Sequence, residues 1–150
     1  MDTSYTLMAR PPRLTQLFQH HPIFFLTMCV QERKAVLDCL EAMEALLEYG
    51  REGEGHGIWI GRFVLMPDHV HLFVGGEVGH VGIWARGLKR RILSRVPTKN
   101  WRWQQGVFDH VIRRHESWEQ KWEYVRQNPV RAGFVQRPED WPYQGQVHEF

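Results

Sequence analysis

His69 and His71 stand one residue apart in LMPDHVHLFV at positions 65–74, a run of Val, Leu and Phe that reads as a buried β-strand. Side chains at i and i+2 leave the same face of a strand, with Cα atoms about 6.5 Å apart. Two imidazoles so placed can converge on one cation and support metal-assisted chemistry at a polarised oxygen. A strand whose polar face merely carries two histidines has the same pattern. Further along, SWEQKWEYVRQN from Ser117 reads as a helix, with capping-box spacing between Ser117 and Gln120. On its wheel Trp118, Trp122 and Val125 lie within about 60° and form the core stripe. Tyr124 projects about 160° from Trp122, off that stripe, with Asn128 one turn on beside it. Pro129 disfavours helical geometry at Asn128, so the helix kinks or stops there and holds the amide near a terminus.

The elements that must position these groups follow from the apolar pattern. Residues 1–22, rich in Pro, Arg and polar groups, read as a partly ordered lead-in, and 23–150 as the domain proper. IFFLTMCV at 23–30 is a first strand. From Arg33 to Tyr49, Val36, Leu40, Met43 and Leu47 recur at helical spacing and predict a helix packed on a sheet. GREGEGHG at 50–57 lacks the Gly-Lys-Ser/Thr ending of a phosphate loop and reads as a flexible connector. IWIGRFVLM and HVHLFV form two strands around a turn at Pro67 and Asp68, closed by Gly75 and Gly76, with the histidine strand central in its sheet. Val81, Trp84, Leu88, Ile92 and Val96 stripe a second helix, and Arg86, Lys89 and Arg90 project to its outer side. WRWQQ at 101–105 interleaves Trp101 and Trp103 with Arg102. This composition suits base stacking with phosphate pairing, and equally a loop anchored by buried tryptophans. VFDHVIRR at 107–114 is a further strand ending in Arg113 and Arg114.

A chain of 150 residues suits one domain with its own core. Its longest strongly apolar run is too short to span a bilayer, and no signal-peptide pattern follows it, so a soluble, cytoplasmic protein is expected. Cys29 and Cys39 lack metal-site spacing and read as buried, reduced thiols. Net charge is only +2, yet Arg86 to Arg137 holds 13 Lys or Arg against four acids, a net of +9, and the remainder carries −7. Such segregation is the footprint of a polyanion-binding face, and a solvated surface with no partner gives the same pattern.

Read together, LMPDHVHLFV and YVRQNPVRAGFV resemble the single-tyrosine HUH transposases, in particular the REP-associated tyrosine transposase branch. The likeness extends from IFFLTMCVQERKAVL through WQQGVFDHVIR to PEDWPY, which is most of the chain. Asp68 departs from the pattern, standing where many relatives have Asn. The resemblance implies an α+β fold, a ferredoxin-like or RRM-like antiparallel sheet with helices on one face, acting on hairpin-bearing single-stranded DNA. It implies Tyr124 as nucleophile and His69, His71 and Asn128 as ligands of a divalent cation. Arg86, Lys89, Arg90, Trp101, Arg102, Trp103, Arg113 and Arg114 then become the expected DNA contacts. The protein would work as monomer or homodimer near the nucleoid, with no small-molecule cofactor.

The implied reaction is attack of tyrosine on a phosphodiester, storing the bond energy as a 5′-phosphotyrosine. Holding a phenol of pKa near 10 as phenolate at neutral pH costs about 4 kcal/mol, which a neighbouring cation offsets. Imidazole and amide ligands suit Mg²⁺ or Mn²⁺ with open positions for phosphate and water. His110 and His115 are candidates for a third ligand or proton acceptor, and Tyr5, Tyr49 and Tyr143 are only formal rivals as nucleophile. Two other classes fit the same residues: a hairpin-binding module that does not cut, and a small metal-dependent hydrolase, against which the basic segment argues.

Overall fold

The computed structural model describes residues 22–112 and 115–149. Residues 1–21 of the lead-in, Tyr5 among them, and the expected DNA contacts Arg113 and Arg114 lie outside the described residues. Five strands, β1 (Ile23–Cys29), β2 (Trp59–Met66), β3 (His69–Gly75), β4 (Phe108–Ile112) and β5 (Gln144–Gln146), form one antiparallel sheet in the order β4-β1-β3-β2-β5. The helices are α1 (Leu40–Glu52), α2 (Val78–Arg95), α3 (His115–Arg126) and the single turn α4 (Asn128–Arg131). The first four strands with α1 and α2 make a βαββαβ unit, the ferredoxin-like α+β arrangement expected, with β5 added at the β2 edge. The histidine strand β3 lies between β1 and β2, pairing Thr27 with His71 and Cys29 with His69 on one side and Val64 with His71 on the other. No helix among the described residues is long and apolar enough to cross a membrane.

Alternation along the strands divides two cores. Phe24, Leu26 and Met28 of β1 with Val70, Leu72 and Val74 of β3 face α1 and α2, where Leu46, Trp84, Leu88 and Ile92 complete the larger core. Ile23, Phe25, Val64 and Phe73 face the other way and meet Trp118 and Val125 of α3 and Trp141. The helices therefore occupy both faces of the sheet instead of one. By the same alternation His69 and His71 share a face with Phe73, the face that α3 covers.

The first helix begins at Leu40, seven residues later than its apolar spacing predicts. The preceding segment is committed elsewhere: the amides of Val36 and Leu37 donate to the carbonyl of Pro67, and Val30 N–H to that of Asp68, so the chain wraps the β2–β3 turn. Glu32 and Arg33 both adopt left-handed backbone, φ 61° and 55°, which no helix accommodates. Leu40 is consequently 63% exposed, and the buried stripe of α1 is Ala42, Ala45, Leu46 and Gly50. Nor is GREGEGHG a flexible connector: it forms the end of α1 and a 3-10 turn, closed by Gly57 at φ 74°.

The second helix matches its predicted stripe, with Val81, Trp84, Leu88, Ile92 and Val96 all buried. The third starts at His115, ahead of Ser117, so the expected capping box sits inside it. It ends at Arg126, and the chain restarts as α4 with Pro129 in its first turn, the break that the Asn-Pro pair predicts. The C-terminal segment is stitched to β2: Trp141 Nε1 donates to Leu65 O at 2.9 Å, and His148 Nδ1 accepts the Ile60 amide at 3.0 Å. His148 Nε2 lies 2.8 Å from Glu54 Oε1, so the ring bridges β2 and the turn after α1. Cys29 is buried and Cys39 only half-buried; both are free thiols.

Candidate active site

The two-residue turn at Pro67 and Asp68 starts β3 with His69, and the strand then directs both imidazoles to one face. Their rings meet edge to face with centroids 4.6 Å apart. Each ring is held from behind. Thr27, paired with His71 across the β1–β3 ladder, brings Oγ1 to 2.9 Å from His71 Nδ1, and Phe25 stacks on the same ring at 5.1 Å. Asp68 Oδ1 lies 2.7 Å from His69 Nδ1. The other Asp68 oxygen accepts from Arg33 Nε at 2.8 Å, and the left-handed turn at Glu32 and Arg33 delivers that guanidinium. An oxygen at Nδ1 fixes ring orientation and leaves Nε2 as the atom to take an ion.

Electrostatics agree with that use. Burial pushes the His71 pKa down to about 3, reinforced by the charges of His69, Lys121, Arg131 and Arg33, so His71 is neutral at physiological pH, as a ligand must be. Burial raises the Asp68 carboxyl, but hydrogen bonds from His69 and Arg33 more than offset it, and its pKa lies below the ordinary value. Asp68 is thus a carboxylate available to orient His69. Among the described residues no three His, Cys, Asp or Glu side chains form a metal cage. The residues that could hold a cation are His69 and His71 on β3, with Asn128 at the start of α4 as the expected further donor.

The outer face of α3 supplies the other groups. Tyr124 is 63% exposed, as its position on the wheel predicts. Three residues earlier, Lys121 Nζ lies 5.0 Å over the Phe25 ring that stacks on His71. Beyond the helix break Arg131 turns back: its Cζ lies 4.0 Å over the Tyr124 ring, and Nη2 donates to Asn128 Oδ1. Lys121 and Tyr124 are one turn apart on α3, so the contact of Lys121 with the Phe25 ring that stacks on His71 sets this part of the helix beside the histidine strand. Thr27, Arg33, Lys121 and Arg131 are absent from the expected set. Lys121, Tyr124, Asn128 and Arg131 are spaced 3, 4 and 3 apart, a signal that could have placed both cations beside the tyrosine.

The remaining candidates separate. Arg86 and Arg90 are exposed, but α2 lies across the sheet from the histidines. Lys89 is buried, its ammonium donating to the carbonyls of Gln104 and Gly106, which corrects its expected role as a free phosphate contact. Trp101 is buried in the larger core, and Trp103 packs on it and donates Nε1–H to Lys89 O at 2.9 Å. The loop-anchoring alternative therefore describes both tryptophans. Arg102 is exposed beside a cleft of about 400 Å³ that also takes in Gln31, Lys34 and Asn100. His110 is exposed on β4 opposite Phe25, two strands from His71 and so about 10 Å away laterally, out of reach as a shared ligand. Tyr49 packs against Trp84 in the opposite core, and Tyr143 against Trp141.

Comparison with known proteins places this architecture. No family profile matches the chain. Over 87 residues it is 29% identical to a REP-associated tyrosine transposase of Escherichia coli, covering 56% of this chain and 52% of the relative. The chain thus spans about half the length of that relative. A Haemophilus influenzae protein provisionally given the same name is 24% identical over 136 residues, 81% of this chain and 77% of its own. Among solved structures, a REP-associated tyrosine transposase bound to a REP hairpin superposes with a TM-score of 0.68 at 20% identity over 95% of both chains. A Deinococcus radiodurans protein provisionally described as a transposase gives 0.51 at 19% identity, over 72% of this chain and 91% of its own.

Proposed function

We propose that this chain, a sequence and structural relative of the REP-associated tyrosine transposases, is a DNA strand transesterase that cuts and rejoins hairpin-bearing single-stranded DNA through Tyr124. The observation that carries the reading is the pair of backed imidazoles on β3, covered by a helix that touches the ring stacked on His71 and presents an exposed tyrosine beneath the Arg131 guanidinium. A protein that only bound DNA would have no physical need for a pair of histidines oriented from behind on the face that carries an exposed phenol.

In the reaction so assigned, a bond forms between Tyr124 Oη and phosphorus as the bond from phosphorus to the 3′ oxygen breaks. The phenol gives up its proton and the departing 3′ oxygen takes one up, leaving a 5′-phosphotyrosine and a free 3′-hydroxyl. Reversal by a 3′-hydroxyl rejoins a strand without ATP. His69 and His71 through Nε2, with Asn128, are the residues to hold Mg²⁺ or Mn²⁺, which when bound would polarise the scissile phosphate. Thr27 and Asp68 keep the two rings aimed. Lys121 and Arg131 offer positive charge to the strand beside the tyrosine. A DNA substrate puts the protein with the nucleoid.

The test uses labelled single-stranded hairpin oligonucleotides from the DNA flanking the gene, with Mn²⁺ or Mg²⁺. Wild type is expected to give a covalent protein–DNA band on a denaturing gel, whereas Tyr124→Phe gives none and binds the hairpin with unchanged affinity. An adduct that persists in Tyr124→Phe removes Tyr124 as nucleophile. Tight binding with no adduct or cleavage in wild type would favour the non-cleaving hairpin-binding module.

A further inference from the structure

Arg131 joins two groups that the sequence singled out, Tyr124 and Asn128. Its guanidinium lies over the Tyr124 ring at 4.0 Å and donates to Asn128 Oδ1. Its charge reaches His71 as well. The side chain is exposed, and a guanidinium has five N–H donors in a planar fork, of which the contact to Asn128 uses one. That fork matches two oxygens of a phosphate, and weak hydration lets it exchange one partner for another. Stacking on the phenol holds the fork within reach of whatever the phenolic oxygen attacks.

We infer that Arg131 is a catalytic residue of the reaction proposed above. In the free protein it holds the Tyr124 ring and the Asn128 oxygen, and on DNA it passes to a non-bridging oxygen of the phosphate that Tyr124 attacks. The inference rests on the transesterase reading. As the bond from Tyr124 Oη to phosphorus forms and the bond to the 3′ oxygen breaks, negative charge grows on the non-bridging oxygens, and a guanidinium bound there is stabilised more in the transition state than before it. The transfer also takes a cation off the Asn128 oxygen, where its charge opposes the approach of a metal ion.

The decisive experiment compares wild type, Arg131→Lys and Arg131→Gln in single-turnover adduct formation, on a hairpin with a normal phosphodiester at the cleaved linkage and on one with a neutral methylphosphonate there. On the phosphodiester, Arg131→Gln is expected to slow the adduct by about 100-fold or more, with Arg131→Lys between it and wild type and hairpin affinity changed by less than about 3-fold. On the methylphosphonate the gap between wild type and Arg131→Gln should close to within about 3-fold, because the linkage starts uncharged and one of the two oxygens that the guanidinium fork would hold is gone. An equal loss on both substrates means that Arg131 only props the site, and no loss on either means that it does nothing; both overturn the proposal. A second readout needs no turnover: Mn²⁺ alone, titrated into DNA-free protein, should bind Arg131→Gln about 5-fold more tightly or better, since a competing cation has gone. Unchanged Mn²⁺ affinity would overturn the hold on Asn128. Failure of wild type to form any adduct would sink the transesterase reading and this role with it, whereas a wild-type adduct with an unaffected Arg131→Gln rate sinks only the role of Arg131.

Discussion

Lys89→Met separates two uses of a cation on α2, holding the fold and holding DNA. Lys89 is 8% exposed; Nζ donates to Gln104 O at 2.9 Å and also to Gly106 O, pinning the loop that carries Trp101 and Trp103. Burial lowers the lysine pKa, so the ammonium keeps its proton at a desolvation cost. Methionine preserves the apolar stem but leaves two carbonyls without their donor. Hydrogen bonds from a charged donor contribute about 1.5–3 kcal/mol each, and relief of the desolvation cost returns part of the loss. The net is a destabilisation of about 2–3 kcal/mol, or a fall in Tm of about 5–10 °C for a chain of this size. Circular dichroism melting at neutral pH reads that fall. Hairpin affinity measured against salt reads the alternative, because a lost phosphate contact lowers the slope by about one. An unmoved Tm together with a flattened slope would refute the structural role.

Two further substitutions probe other joints of the molecule. Thr27→Val removes the hydroxyl behind His71 Nδ1 and should weaken Mn²⁺ binding by about 10- to 100-fold; an unchanged titration would reduce Thr27 to packing. His148, 4% exposed, has its pKa lowered by burial, which the neighbouring Glu54 only partly opposes. Its contribution to stability is therefore complete above the unfolded value of about 6.5 and is lost as pH falls through the window below it, where the unfolded chain takes a proton that the folded one resists. Melting temperature should fall more steeply on acidification in wild type than in His148→Gln, and parallel curves would remove His148 as the cause.

What could be read from the residues was mostly what is decided locally. Alternation in HVHLFV and the Pro67-Asp68 turn place two imidazoles on one face whatever else the chain does. The wheel of α3 puts Tyr124 outward, and Pro129 breaks the helix where a proline must. The misreadings share a cause in partners distant along the chain. The amides of Val36 and Leu37 are claimed by Pro67, about thirty residues on, so helical spacing before Leu40 counts for nothing. A wheel gives the direction of Lys89 correctly but is silent about a loop that folds over it. Asp68 reads as a departure from a family pattern until Arg33 is seen to hold its second oxygen from the far side of the turn. The spacing that joins Arg131 to Tyr124 lay in the sequence, but a helix taken to stop at Asn128 gave no reason to carry its face onward.

The break between α3 and α4 divides control of the two groups that the proposed chemistry brings together. Tyr124 belongs to a helix whose position is set by Trp118 and Trp122 against Phe73, whereas Asn128 belongs to a turn anchored through buried Pro129. One residue joins them: Gln127, at φ −83° and ψ −5°. The separation of phenol and amide is therefore a mechanical setting with a single adjustable joint, and Arg131, reaching back across it, is the clasp. Two rigid parts sharing one joint tolerate change within either part, since substitutions in the α3 core or around Pro129 carry their own group along and leave the other in place. A chain built this way can vary the surface of either part while the distance between the Tyr124 phenol and the Asn128 amide is tuned separately at Gln127.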